Sequence, residues 1–572
     1  MPVLNSDVAR IFNQMADLLE MESANAFRVR AYRNAARTIA SLPKEVSEMV
    51  ETGEALDDLP GIGKDLASKI QEIVETGSFS QLREIEKKTP PELTEIMKIP
   101  GLGAKRVYAL HKELGVKTVG DLRENARKGE IRHLRGFGKK TEQKILEEIE
   151  ETEKHGDRIK IVEAEEAAKA LLKYFETVKG IKKIMVAGSY RRRKETVGDL
   201  DILVSCGKDC KVMDALVKYD AVKRVVSRGT TKSSVILRSG LQVDLRKVPA
   251  VSYGAALHYF TGSKAHNIAV RRMGVKKNLK INEYGVFKGD KRVAGRNEED
   301  VYRQVDLPYI EPELREDNGE LEAAQEGKLP ELVTVDDIRG DLHAHTKETD
   351  GHNTVEEMAE AAKEMGYEYL AITEHSQRVS MAHGFDAKKM ERQIKRIEEL
   401  NGKLKGITIL KGIEVDILKN GSLDLPEDIL KELDVVVCSV HYDRNLPKKE
   451  MTERILTAMD NPYFHILAHP TGRLINERAP YEVDLERVLE KAKEAGCFLE
   501  VNAHPDRLDL SDRYCRTAKQ IGVKLVISTD AHRTSNLALM RFGVDQARRG
   551  WLEADDVLNT RSLKELKKLL KR

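Results

Sequence analysis

Asp199 and Asp201 stand two apart in the run Gly198-Asp199-Leu200-Asp201-Ile202-Leu203-Val204, which reads as a strand entered through a glycine. Alternate residues of a strand lie on one face, so the two carboxylates project side by side and can share divalent cations. Upstream, Gly188-Ser189 reads as a turn followed by a basic helical segment, Tyr190 to Lys194. Backbone N–H groups at Gly188 and Ser189 can approach a phosphate, with Arg192 as its charged partner. Paired carboxylates for Mg²⁺ beside a Gly-Ser motif for a triphosphate form a layout suited to nucleotidyl transfer. A bare Asp-x-Asp is common on solvated strands. The Gly-Ser and arginine run at this spacing set this one apart.

A second set of chemistry-bearing residues occupies the C-terminal part. From Asp341 onward, strand-like runs alternate with amphipathic helices: Tyr369–Thr373, Thr408–Leu410, Val435–Val440, Phe464–Ala468, Phe498–Asn502 and Lys524–Ser528. That alternation implies a parallel sheet, and its length suggests a barrel. Nearly every strand ends in a metal-competent residue: His343 and His345, Asp350, His375, Glu414, His441, His469, Asp530 and His532. Barrel sites gather at the C-terminal ends of strands, so these side chains are expected to converge on two or three metals. Mixed imidazole and carboxylate donors suit Zn²⁺, Mn²⁺ or Fe²⁺.

Gly-Ser-Tyr-Arg-Arg followed by Gly-Asp-Leu-Asp-Ile-Leu resembles the palm motif of family X DNA polymerases, the group containing DNA polymerase beta. The resemblance implies a third carboxylate on a neighbouring strand, and Asp244 in Leu241–Arg246 supplies it. It also implies a dNTP-binding segment, matched by Tyr259, Phe260, Gly262, Asn267 and Arg271, then Asn282-Glu283-Tyr284. In that reading Asp199 and Asp201 hold Mg²⁺ or Mn²⁺, and Asp244 completes the primer 3′-hydroxyl site. Tyr259 and Phe260 flank the sugar, while Asn267 and Arg271 face the minor-groove side of the base pair. The C-terminal motifs resemble the polymerase and histidinol phosphatase (PHP) domain, whose members hydrolyse phosphate esters with clustered metals. Bacterial and archaeal family X polymerases carry it at their C-terminus. There it implies Mn²⁺-dependent 3′–5′ exonuclease, abasic-site endonuclease and 3′-phosphatase activity.

Three segments resemble helix-hairpin-helix motifs: Leu59-Pro60-Gly61-Ile62-Gly63, Ile99-Pro100-Gly101-Leu102-Gly103 and, more weakly, Leu134-Arg135-Gly136-Phe137-Gly138. Their glycines permit a tight turn and close phosphate approach. Contacts of this kind position DNA without reading its sequence. Lys69 aligns with the Schiff-base lysine by which relatives remove 5′-deoxyribose phosphate, but the companion basic position is Asn34. Further departures from the family pattern are Gln242 beside the carboxylates, Glu374 where Asp is usual, and His504 where Asn is usual. His504 could be a tenth metal ligand or a rim residue.

The elements that must position these groups follow from the whole chain of 572 residues. The expected fold is multidomain, mixing α+β and α/β. A helical, lyase-like DNA-binding domain (1–78) precedes a fingers-like helix-hairpin-helix domain (79–150). A nucleotidyltransferase palm (151–245) and a small thumb for nucleotide selection (246–312) follow. A Glu-rich, partly ordered linker (313–338) then leads to a PHP barrel of (β/α)₇ type (339–572). Net charge is only +2, yet residues 151–300 carry 32 basic against 19 acidic side chains. A basic excess around the Asp-x-Asp is expected of a surface lying on a phosphate backbone. No apolar run approaches the ~20 residues of a membrane span, and Met1 to Arg10 lacks a signal-peptide pattern. Five scattered Cys residues without C-x-x-C spacing point to a reducing cytoplasm. The expected partners are gapped or primer–template DNA and dNTPs, with a monomeric protein and no membrane. The main expectation is a gap-filling repair polymerase with a C-terminal nuclease. The rivals are a small-molecule phosphoesterase with a vestigial front half, and a DNA-damage-binding scaffold.

Overall fold

A computed structural model describes residues 5–22, 25–40, 46–59, 61–97, 99, 101–155, 158–207 and 209–571. Pro60 and Pro100 of the expected hairpin motifs lie outside these residues. The chain forms two compact units, the first comprising residues 1–158 with 219–224 and 236–240, the second the remainder.

The first unit is helical. Helices Asn5–Met21 and Ala26–Ala40 bury an apolar stripe against Lys64–Thr76 and Ser80–Glu86. Phe12 packs edge-on to Tyr32 and Phe79 at centroid distances of 5.5 and 6.0 Å. A second cluster, with Ile96, Val107, Leu110, Leu122 and Ile145, unites helices Leu93–Met97, Ala104–Leu114, Val119–Lys128 and Lys139–His155. Thr118 and Asp121 form a reciprocal capping box that starts Val119–Lys128, satisfying two otherwise orphaned N–H groups.

A five-stranded sheet, most of whose residues belong to the second unit, runs Ile181–Val186, Asp199–Cys206, Gln242–Lys247, Lys232–Leu237, Val222–Arg228 in spatial order. The two central carboxylate-bearing strands are parallel, and their register places Asp201 opposite Asp244. The basic segment after Gly188-Ser189 is shorter than the sequence suggests. Its helix covers only Gly188–Arg191, and Arg193 adopts φ 56°, which ends the helix by left-handed backbone. Helices Tyr253–Thr261 and Lys264–Lys276 lead to a three-stranded antiparallel sheet, Lys280–Asn282, Gly285–Lys288 and Lys291–Ala294.

Residues 313–338, expected as a linker, are instead packed. Leu314, Leu321, Ala324 and Leu332 share a core with Val270, Ile281, Val301 and Tyr302. Arg315 is fully buried, 2.5 Å from Glu298, and Glu320 is buried 2.6 Å from His266. The segment has no apolar period because it is a 3₁₀ turn, a loop and the short helix Glu320–Gln325. Its charges are buried in pairs, which composition reads as solvated.

The C-terminal part is a seven-stranded parallel sheet whose spatial order equals its chain order. The strands are Gly340–Asp341, Tyr369–His375, Thr408–Asp416, Val435–Ser439, Ile466–Leu467, Phe498–Asn502 and Leu525–Ser528. A parallel bridge between Ala344 and Ala531 joins the residues beyond the first and last strands, nearly closing a barrel. Every residue of Tyr369–His375 is buried, as expected where helices cover one face and the barrel interior the other.

Candidate metal centres and phosphate-binding residues

Gly188 has φ 64°, and a Cβ there would lie 2.9 Å from Asp201 Oδ2. Both facts require glycine. The Ala187 N–H donates to the Asp201 carbonyl at 2.7 Å, so the Gly188-Ser189 turn is tied to the strand bearing Asp199 and Asp201. Burial, then the charges of Asp199 and Asp244, push the Asp201 carboxyl up to about 7. Burial also pushes Asp244 upward, but hydrogen bonds from Lys232 and Ser234 hold it below the ordinary value. Lys232 Nζ stands 2.8 Å from Asp244 Oδ2, and Gln242 Nε2 donates to Oδ1 at 3.2 Å. Lys232 thus supplies a cation beside the carboxylates where Gln242 supplies none. It had no signature in sequence because it sits on the adjacent strand.

The arginines of the motif are engaged within the protein. Arg191 makes a fork to Glu298 at 2.9 and 2.6 Å. Arg192 donates to Glu316 at 2.9 Å and to the Thr261 carbonyl at 2.8 Å. Gly198 lies between the bridging strand Thr196–Val197 and Asp199. Tyr259 and Phe260 stack edge-on at 5.1 Å, and Arg271 lies 5.8 Å over the Tyr259 ring. Asn267 Nδ2 donates to the Tyr259 carbonyl at 2.7 Å. A Cβ on Gly262 would meet Asn267 Oδ1 at 2.9 Å. Asn267 therefore braces the turn that presents the two rings.

In the barrel, three overlapping groups place ligand atoms within 4.8 Å of one another: His345, Asp350, His375 and His532; His343, His345 and Asp530; His375, Glu414 and His441. These hold eight of the nine expected residues. His469 is not in a group, but its Nε2 lies 3.1 Å from Glu414 Oε1. Asp199, Asp201 and Asp244 form no such tight group among the described residues, and Lys232 occupies Asp244 Oδ2. His343 Nε2 and His345 Nε2 face each other at 3.1 Å, and the buried His345 Nδ1 has no hydrogen-bond partner. Buried imidazole nitrogens aimed at one another fit a donor set for transition-metal ions.

The electrostatics agree. Burial pushes His343 down, but Glu500, Asp530 and Glu414 carry it well above its ordinary value. Burial, then the charges of His532 and His375, lower His345 to about 3. His375 is pushed down by burial, yet Glu414 and Asp350 raise it to about 10. Glu414 and Asp530 resist burial because imidazoles surround them, and both are held well below the carboxylate range. Buried carboxylates in such number need cations.

Glu500 and Asp416 were not anticipated. Glu500 is buried, holds His343 Nδ1 at 2.7 Å and accepts from the His469 N–H at 2.6 Å. Asp416 accepts from the His441 N–H at 2.9 Å. Each sits two residues from another polar group on its own strand, Asp416 from Glu414 and Glu500 from Asn502. That pattern is the signal a sequence could offer. Glu374 joins no group; burial pushes it up to about 7, and the Thr346 and Thr349 hydroxyls donate to it. It anchors the loop carrying Asp350. His504 lies outside the three groups, with Nδ1 accepting from the Asp506 N–H at 3.3 Å.

In the first unit, Gly61, Gly101 and Gly136 have φ of 75°, 87° and 86°, and Gly63 and Gly103 cap the following helices. Nothing lies within 4 Å of a Cβ at these positions or at Gly138, leaving open surface for a phosphate. Lys69 is ion-paired with Asp65 and lies 5.6 Å over the Tyr32 ring.

Family models match in four places: helix-hairpin-helix domain (3–79), SAM-like helix-hairpin-helix tandem (93–151), DNA polymerase beta thumb (256–316) and PHP domain (341–504). A Bacillus subtilis (strain 168) protein named DNA polymerase/3′-5′ exonuclease PolX is 39% identical over 99% of this chain and 99% of its own. A probable phosphatase of Thermoanaerobacter sp. (strain X514) is 32% identical over 38% of the chain and 89% of its own length. One from Caldanaerobacter subterraneus is 35% identical over 34% and 75%. Likeness to the phosphatases covers little more than a third of the chain, whereas likeness to the Bacillus polymerase runs end to end, and on that ground the chain belongs to the family X DNA polymerases that carry a C-terminal PHP domain.

Proposed function

We propose that this protein extends primer 3′ ends with dNTPs in gapped or primer–template DNA, and that its barrel hydrolyses phosphodiesters from 3′ ends. The observation carrying the first half is the register of Asp201 opposite Asp244, with Gly188 against Asp201. The second half rests on three overlapping ligand groups in one barrel mouth and on the Bacillus relative, named for both activities.

Bound divalent cations would acidify the attacking oxygen and neutralise phosphate charge at both sites. At the palm, Asp199, Asp201 and Asp244 would hold Mg²⁺ or Mn²⁺. The Gly188 and Ser189 backbone and Arg192 receive the triphosphate, with Arg192 exchanging Glu316 for phosphate oxygens. Tyr259 and Phe260, fixed by Asn267, present their rings to the sugar. In the barrel, Glu500 orients His343 through Nδ1, so that Nε2 faces the centre, a support typical of metal-ligating imidazoles. Zn²⁺, Mn²⁺ or Fe²⁺ fits this donor set. The hairpin glycines of the first unit grip backbone phosphates. Abasic-site endonuclease and 3′-phosphatase activities would use the barrel site.

The test is a labelled primer on a one-nucleotide-gapped duplex with Mn²⁺, with and without dNTPs. Extension with dNTPs and shortening without them are expected. Asp199→Ala should abolish extension alone, and His343→Ala with His345→Ala should abolish shortening alone. If neither activity appears, while a free phosphate monoester is turned over, the chain is a small-molecule phosphoesterase.

A further inference from the structure

Three arginines stand on loops beyond successive barrel strands: Arg444 after His441, Arg478 after His469, and Arg507 after Asn502. Arg444 and Arg478 both donate to one acceptor, the Gly472 carbonyl; Arg478 Nη2 does so at 2.8 Å. Arg444 Nε is buried without a hydrogen-bond partner. Among the described residues, no carboxylate lies within ion-pair distance of either guanidinium. Arg507 Nε lies 3.7 Å from Asp530 Oδ2, at the metal groups.

The carboxylates that chain order places beside these arginines point elsewhere. Glu477 precedes Arg478, and Asp506 precedes Arg507, yet both bind Lys160 of the palm, at 2.6 and 2.5 Å. Asp509 accepts from the Thr471 N–H through Oδ2 at 2.9 Å, and its charge acts on Arg444 only from beyond ion-pair distance. The crowding is felt: burial, then Arg444 and Arg507, lower Arg478 to about 10. Two neighbouring guanidiniums, Arg444 and Arg478, with no carboxylate in ion-pair distance among the described residues, match the oxygens of a phosphate. A monoester has a single phosphate, which the metal groups would take. A nucleic-acid strand brings another phosphate beside it.

We propose that Arg444 and Arg478, with Arg507 leading to Asp530, bind a backbone phosphate next to the scissile bond of a nucleic-acid strand. The proposal rests on the barrel being a phosphodiesterase. The site then selects strand ends over small phosphate esters, and Lys160 keeps it cationic by holding Glu477 and Asp506 away.

The full chain with Mn²⁺ is given two substrates, a 5′-labelled single-stranded oligonucleotide and bis-p-nitrophenyl phosphate. Arg478→Gln, which alters an exposed residue, and Arg444→Gln with Arg478→Gln are compared with wild type. The expected result is a KM for the oligonucleotide raised about ten-fold or more, with a shallower salt dependence. Turnover of bis-p-nitrophenyl phosphate should change less than about two-fold. The inhibition constant of a phosphorothioate oligonucleotide against bis-p-nitrophenyl phosphate should rise in step. Equal loss on both substrates, or an unchanged oligonucleotide KM in Arg478→Gln, overturns the proposal. A wild type that cleaves only bis-p-nitrophenyl phosphate overturns it while leaving the barrel reading intact. Cleavage of neither substrate overturns both.

Discussion

Arg549 of the barrel's Met540–Arg549 helix donates a hydrogen bond to the backbone carbonyl of Arg192, just past the short Gly188–Arg191 helix, at 2.8 Å. Both guanidiniums also reach the Glu316 carboxylate, Arg192 at 2.9 Å and Arg549 at 3.2 Å. The segment around Glu316 thus joins two catalytic parts. Glu316 also occupies the guanidinium proposed to receive the triphosphate. Replacing Glu316 by Gln removes the competing charge, and such a partly buried pair is worth on the order of 1 kcal/mol. The dNTP KM for extension is expected to fall about five-fold, with exonuclease rates unchanged. A raised KM would show that Glu316 positions Arg192 for the nucleotide instead of competing with it.

The Asp201 carboxyl, pushed up to about 7 by burial and by Asp199 and Asp244, makes metal binding compete with a proton. Below about pH 7 the native carboxyl is protonated while the unfolded one, with an ordinary value of 3.8, is not. Stability of the metal-free protein therefore falls as pH rises from about 4 to about 7, then levels. Cation affinity runs the other way. The Mg²⁺ concentration for half-maximal extension should rise about ten-fold per unit below pH 7 and stay flat above pH 8. A flat profile between pH 5.5 and 7 would contradict a raised Asp201.

Glu500 accepts three donors: His343 Nδ1 at 2.7 Å, the His469 N–H at 2.6 Å and Asn502 Nδ2 at 3.2 Å. Glu500→Gln keeps the shape but turns an NH₂ group toward an N–H donor. Loss of such a support typically costs 10–100-fold in metal affinity or activity. Exonuclease activity should drop by that range and recover partly at high Mn²⁺, with primer extension preserved. Extension falling alongside would point to a folding defect.

The two candidate metal motifs stand out in the sequence because their pattern is local: Asp-x-Asp on one strand face, and a histidine or acid where a barrel strand stops. Asp244 and the Tyr259 to Arg271 segment were reachable only through the family resemblance. What stayed hidden depends on tertiary neighbours. Lys232 reaches Asp244 from the next strand, and Arg549 reaches Arg192 across hundreds of residues. Arg315 and Glu320 looked like linker charges, yet each is buried against a partner supplied by another element. Composition counts such charges as solvated because burial by pairing leaves no mark on hydropathy.

Lys69 pairs with Asp65 one helical turn away and rests on the Tyr32 ring. Both contacts hold the amine within the protein, whereas a Schiff-base nucleophile must be free to reach the sugar carbonyl. Borohydride trapping on a 5′-incised abasic substrate is expected to give little or no adduct in wild type. Asp65→Asn should increase trapping, since it removes the paired charge. Strong trapping in wild type that Lys69→Ala abolishes would restore the lyase reading.

Gly188 offers the most selective test of the palm. Its φ of 64° is left-handed, and its missing Cβ leaves room for Asp201 Oδ2 at 2.9 Å. An alanine incurs about 1–2 kcal/mol of backbone strain and forces either the turn or the carboxylate to move. The turn carries the N–H groups proposed to bind phosphate and is tied to the strand by the Ala187–Asp201 hydrogen bond at 2.7 Å. Displacing one displaces the other. Gly188→Ala should therefore reduce kcat for extension by about 100-fold, since small misplacements at reacting groups cost that much. The barrel sits on separate strands, so shortening of a primer without dNTPs should remain within about two-fold. If extension survives with unchanged kcat, the close approach of Gly188 to Asp201 plays no part in nucleotidyl transfer.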